Sequence, residues 1–197
     1  MATEFSMLQI MNAALISEGL DEIVSENDGS DEWRLLARNW PMIVEAELED
    51  GAYHFTKTSV FLQSRQDGGY GYDDAYLVPQ AALHVRRLWI EPETGGRHFP
   101  DWVQDGTKVY VTQPDGVWIE YVAGAAEHLW TANFARGVQL KLQAVILNFR
   151  EERSAAAAVE QQAEMAFQRA RTSSSKSRSP TEPYKPSRFA IARFTRG

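Results

Sequence analysis

The sequence predicts an α+β fold: a helical bundle with an inserted small antiparallel β-region and a C-terminal extended arm. Three observations carry that reading. Apolar residues recur at helical spacing towards both ends of the chain. The middle changes to β-branched runs separated by turn signals. The segment from Thr172 onwards has no core pattern. The expected organisation is a body at 1–171, with helices at 4–17, 31–48 and 132–171 and a β-region at 53–123, followed by a flexible basic arm at 172–197.

In the first helix Phe5, Leu8, Met11 and Leu15 share one face, with Thr3 as candidate cap and Gly19 as candidate stop. Residues 20–30 are acidic and turn-rich. Ser30 is a good N-cap, and Asp31 and Glu32 suit the positive end of the helix that follows. Its stripe is Trp33, Leu36 or Ala37, Trp40, Val44 and Leu48. Pro41 lies inside it and predicts a kink, because proline donates no backbone hydrogen bond.

Residues 54–62 read as extended, 66–74 as a Gly-rich loop, and 83–90 as containing a strand. Asp105-Gly106 and Pro114-Asp115-Gly116 then bracket Lys108-Val109-Tyr110-Val111-Thr112. With Val117 to Val122 beyond, the spacing predicts a β-meander in one small antiparallel sheet.

Helical period returns with Phe134, Val138, Leu142, Val145 and Phe149, and continues with Ala155, Val159, Ala163, Ala166 and Ala170. One long helix fits, as do two joined near 150–154. The alanine-rich stripe has little side-chain volume and lets another helix approach closely. Val159, Ala163, Ala166, Phe167 and Ala170 are therefore candidates for contact with a neighbouring subunit.

Charge divides the chain in two. Residues 172–197 carry six cations against Glu182 alone, a net +5, so the −7 of the whole leaves −12 on the first 171 residues. The stretch Ser173-Ser174-Ser175-Lys176-Ser177-Arg178-Ser179-Pro180 is low-complexity and is expected to be mobile alone. Beyond it Tyr184, Phe189, Ile191 and Phe194 alternate with Arg188, Arg193 and Arg196. These are apolar anchors with charge-assisted contacts, suited to an arm that orders on a partner. A phosphate-contacting tail is the alternative use of the same cations. The acidity of the body argues against the whole protein clamping DNA.

Signals for catalysis are weak. There is no cysteine, so thiolate chemistry and disulfides are excluded. His54, His84, His98 and His128 lack metal-ligand spacing. Gly68-Gly69-Tyr70-Gly71 lacks the Lys-Ser/Thr of a phosphate-cradling loop. Asp73-Asp74 and Asp101/Asp105 read as ordinary loop acids. No catalytic residue, metal or cofactor is expected. No apolar run approaches the ~20 residues of a membrane span, and the N-terminus lacks a secretory pattern. A soluble protein made and used in cytoplasm fits this, with no membrane partner.

The order of these pieces resembles the tail tubular protein A family, the head-to-tail adaptors of T7-like phages. The resemblance rests on Asn12-Ala13-Ala14-Leu15 to Gly19, Ile23, Ser25 and the acidic stretch into Trp33-Arg34-Leu35-Leu36. It continues through the helix with Pro41, His54-Phe55, Tyr76-Leu77-Val78-Pro79, then Leu83, Val85 and Leu88, and spans roughly residues 5–170. It implies a virion neck protein, present in host cytoplasm during assembly. Such a protein forms a ring of twelve copies between the portal protein and the next tail or neck component, and genomic DNA passes through the channel without specific binding. On that reading Tyr184, Arg188, Phe189, Ile191, Arg193, Phe194 and Arg196 bind the portal, although the arm is not part of the family pattern. The alternatives are another neck protein, for tail completion or as a stopper, and a DNA-binding protein using the basic tail.

Overall fold

A computed structural model describes residues 5–51, 53–90 and 100–176. The fold is α+β, with four helices and two antiparallel sheets. Helix α1 (Met7–Ser17) begins at Ser6 and not at Thr3. Ser6 and Gln9 form a capping box, each side chain meeting the other's backbone N–H. Gly19, at φ +67°, closes the helix, and Leu20 N–H reaches back to the Leu15 carbonyl. The Asn12 amide clasps both backbone groups of Ile23, donating to its carbonyl at 3.0 Å and accepting its N–H at 2.9 Å. The acidic loop is thereby fastened to α1.

Helix α2 (Asp31–Asp50) is capped by Ser30, which accepts the Trp33 N–H at 3.0 Å, and it runs unbroken through Pro41. Helix α3 (Ala132–Phe149) and helix α4 (Arg153–Lys176) resolve the alternative left open by the sequence: they are two helices, joined by a three-residue link. Glu151 turns the chain there at φ +65°, and Glu152 N–H bonds the Leu147 carbonyl. The hairpin is tight because Gly137 has no side chain and the Phe167 ring occupies that space.

α4 extends through Thr172, Ser173 and Ser174, past the expected end of the body at 171. Ser174 is buried, with its hydroxyl 3.2 Å from His54 Nδ1. Tertiary contact thus outweighs the weak helix propensity of serine and threonine.

The bundle core combines α1, α2, α3 and α4 around Phe134, whose ring meets those of Tyr53, Phe55, Trp130 and Phe167 at 4.7–5.6 Å. Trp40 stacks on Trp130 at 5.7 Å, so three of the tryptophans (Trp33, Trp40 and Trp130) serve this core.

The β-region departs from the single expected sheet. β1 (Lys57–Leu62), β4 (Ala82–Trp89) and β7 (Val117–Ala123) form one sheet in the order β1-β7-β4. β2 (Arg65–Gly69), β3 (Tyr72–Leu77), β5 (Val103–Asp105) and β6 (Lys108–Val111) form another, in the order β2-β3-β6-β5. The two sheets share one core of Leu62, Tyr76, Val78, Val85, Leu88, Val109, Val111, Val117, Ile119 and Tyr121.

Two expectations are corrected here. Residues 66–74 are not a loop but the β2–β3 hairpin, turned by Tyr70 and Gly71, both at positive φ as a type I′ turn requires. β6 and β7 are not hairpin partners, because residues 112–116 carry the chain from one sheet to the other. Buried Asp74 accepts the Gln113 N–H at 2.7 Å and pairs with Arg65. The Tyr76 hydroxyl donates to the Gln113 carbonyl and accepts from Gly116 N–H.

Candidate functional site

Sequence-selected residues fall into three places. Tyr184, Arg188, Phe189, Ile191, Arg193, Phe194 and Arg196 lie outside the described residues. Val159, Ala163, Ala166, Phe167 and Ala170 lie on α4, but their assignment to a subunit interface is corrected. Ala163, Phe167 and Ala170 are 0% exposed within the single chain, Ala166 is buried, and Val159 packs against the same core. The close helical neighbour that a small-residue stripe implies is this chain's own α3, which covers Ala163, Ala166, Phe167 and Ala170 and leaves Val159 partly exposed.

The loop acids have structural partners. Asp74 holds the crossover, Asp101 accepts the Tyr72 hydroxyl and Asp105 that of Tyr70, both at 2.6 Å. These bonds hold both tyrosine hydroxyls above their usual pKa. His54 fastens the end of α4. Among the described residues no group of histidines and carboxylates is placed to hold a metal ion. No described helix is long and apolar enough to cross a membrane.

A polar cluster joins the end of α2 to α4. Arg171 donates through Nη2 to Glu47 at 2.6 Å and Asp50 at 3.0 Å, and through Nη1 to Glu164 at 3.2 Å. The Tyr53 hydroxyl donates to the same Glu47 oxygen. Burial pushes the Glu47 carboxyl up, against the bonds from Tyr53 and Arg171. Burial, then the bond and charge of Glu47, push the Tyr53 hydroxyl up. Burial works against the Arg171 charge, but Glu47 outweighs it and holds the guanidinium protonated. α2 ends on carboxylates with no cation in its last turn, opposed to the helix dipole. Arg171 neutralises that end from another helix. The arrangement is a clamp, and sequence reading missed it because nothing local relates residue 171 to residue 47.

Among the described residues, two sets of exposed side chains are open to partners. One is a set of exposed apolar side chains on the helices and their links: Ile16, Met42, Leu129, Met165 and Phe149, the last 73% exposed. Ile16 and Phe149 stand at the same end of the bundle, where Glu18 accepts from Gln143 and Arg150. The sequence signal was present, since Phe149 continues the α3 stripe, but the stripe outruns the core by one turn. The other surface is the loop into α2, where Asp21, Glu22, Glu26, Asp28, Asp31 and Glu32 stand within residues 20–32 without a lysine or arginine.

Comparison with protein-family models finds no match, and comparison with curated proteins finds none.

Proposed function

We propose that this chain is a structural head-to-tail adaptor of a tailed phage, forming a ring under the portal protein through which DNA passes. The observation that carries the reading is architectural. A helical bundle is interrupted between its second and third helices by an antiparallel β-region and then closed by a helical pair, the order that the family resemblance implies. Asn12 and Ile23, two of the residues that carry the resemblance, are joined directly.

Subunit contacts in such a ring fall on Ile16, Met42, Leu129, Phe149 and Met165, since the alanine stripe of α4 is internal. The acids of residues 20–32, of which only Asp31 forms an ion pair among the described residues, with Arg34, supply a wall that repels phosphate and lets DNA slide. The basic arm beyond α4 supplies the attachment to the portal. Twelve weak arms on one ring bind with high avidity.

The test is assembly. Purified chain mixed with its portal should give particles carrying a ring of twelve copies by electron microscopy. Truncation after Lys176 should leave the circular dichroism of the body intact and abolish attachment. A chain that stays monomeric and unattached with portal present overturns the reading. Sub-micromolar binding of duplex DNA by the truncated chain in about 150 mM salt overturns the repelling wall.

A further inference from the structure

The two sheets of the β-region meet along two seams that are built differently. At the first, β1 passes into β2 through residues 63 and 64 alone. The crossover at 112–116 is bolted to β3 by Asp74 and Tyr76, and it lies close on β1, where a Cβ on Gly116 would meet the Leu62 carbonyl oxygen at 2.8 Å.

At the second seam β4 is the terminal strand of one sheet and β5 that of the other, and the two do not pair. The start of β4 is tied to β3 by residues 78–81, but the connection from β4 to β5 takes thirteen residues, 90–102. Among the described residues no backbone hydrogen bond joins the two strands. A side chain joins them instead. The Gln104 amide, in the middle of β5, accepts the Val85 N–H at 2.9 Å. It donates to the Gly106 carbonyl at 3.2 Å, which fixes the end of the amide that faces β4.

β4 carries the marks of an edge that stays unpaired. Its register against β7 slips between Ala82 and His84 and again between Val85 and Arg87. Such bulges turn an edge away from further strands, and the adjacent charges of Arg86 and Arg87 act in the same sense. Val85 is buried, and its N–H would lack a partner at the rim of the core without Gln104.

We propose that the β4–β5 seam is where the β-region opens, and that the Gln104 side chain is the catch that holds it shut.

The first seam keeps its short link and its bolted crossover, so the sheets pivot there. β4 is held at its start by residues 78–81, so the gap widens from Gln104 towards the other end of the strand. Opening breaks a side-chain hydrogen bond and no strand pairing, because β4 leaves with β7 and β5 with β6. It uncovers Val85 and Leu88 on one lip and Val109 on the other, all apolar side chains of the shared core. The motion therefore belongs to the local openings that cost far less than global unfolding. None of this depends on the protein being an adaptor.

The absence of cysteine makes the test direct. Val85→Cys, Val117→Cys and Val138→Cys place single thiols at the seam, on the pivot side and in the bundle, all at buried positions. Labelling by dithiobisnitrobenzoate is followed on the folded, full-length chain in low urea. The Val85→Cys rate should hardly change with urea, while the other two rates rise with the slope of global unfolding. Adding Gln104→Ala should accelerate Val85→Cys about fivefold or more, and leave the other two within about twofold. A Val85→Cys rate that follows the global slope overturns the opening. Acceleration of all three sites alike, or of none, overturns Gln104 as the catch.

Discussion

Gly137→Ala separates two physical effects of opposite sign. A methyl group in mid-helix stabilises by about 1 kcal/mol relative to glycine, and on propensity alone the variant gains that much. The structure predicts the reverse. A Cβ on Gly137 meets Phe167 Cε1 at 2.4 Å, Cδ1 at 2.6 Å and Cζ at 2.8 Å. Phe167 is fully buried, with Phe134 at a ring distance of 5.6 Å, so the ring has no free space in which to retreat. Overpacking of this kind costs about 1–3 kcal/mol, and the depth of overlap puts it at the upper end. The net expectation is a loss of about 2 kcal/mol, or a thermal midpoint lowered by about 4–8 °C for a chain of this size. Phe167→Leu removes the clashing ring atoms. The double variant should therefore be more stable than the sum of the single effects, by calorimetry and by urea unfolding. A neutral or stabilised Gly137→Ala refutes the close packing of α3 on α4.

Three further outcomes are expected. Arg171→Met should lose about 2 kcal/mol in urea unfolding, because it leaves Glu47 half-buried beside two other acids, and Glu47→Gln in that background should recover part of the loss; a change within experimental error shows that the clamp is idle. Glu47 binds its proton more tightly when folded than its ordinary 4.5, so stability should fall as pH rises through the window above 4.5. Glu47→Gln should remove that component from unfolding free energies measured at successive pH values, and an unchanged slope counts against the burial argument. Glu151 holds a left-handed conformation that glycine adopts without strain. Glu151→Gly should therefore raise stability by about 1 kcal/mol, and a lower thermal midpoint contradicts the reading of that turn.

Helical stripes were legible because their spacing is local. Trp33, Trp40, Val44 and Leu48 announce both the helix and its buried face and are core, and of the alternatives Leu36 and Ala37 it is Leu36 that is fully buried. The β-region was legible as strands and not as sheets. Val111 and Val117 have the spacing of a hairpin, and what separates them is a pair of side chains, Asp74 and Tyr76, some 40 residues earlier. The β2–β3 hairpin was hidden by its own glycines, which read as a loop until Tyr70 and Gly71 prove to be the turn itself. Small residues on α4 signal close approach but not whose helix approaches. Phe167 seated against Gly137 answers that, and their separation of 30 residues puts the answer beyond any local pattern.

Insertion of the β-region between α2 and α3 has a consequence for biosynthesis. The β-region's core draws only on residues 60–123, so it is complete once that stretch has left the ribosome. The bundle's core draws on both ends of the chain, from Ile10 to Ala170. Until α3 emerges, Trp40 lacks the Trp130 ring and Tyr53 and Phe55 lack that of Phe134, and the acid-rich end of α2 waits for Arg171, among the last body residues to be translated. Translation therefore finishes the inserted module first and the enclosing one last. A ribosome stalled before Arg171 holds a folded β-region tethered to two unsatisfied helices, the species on which chaperones and proteases act.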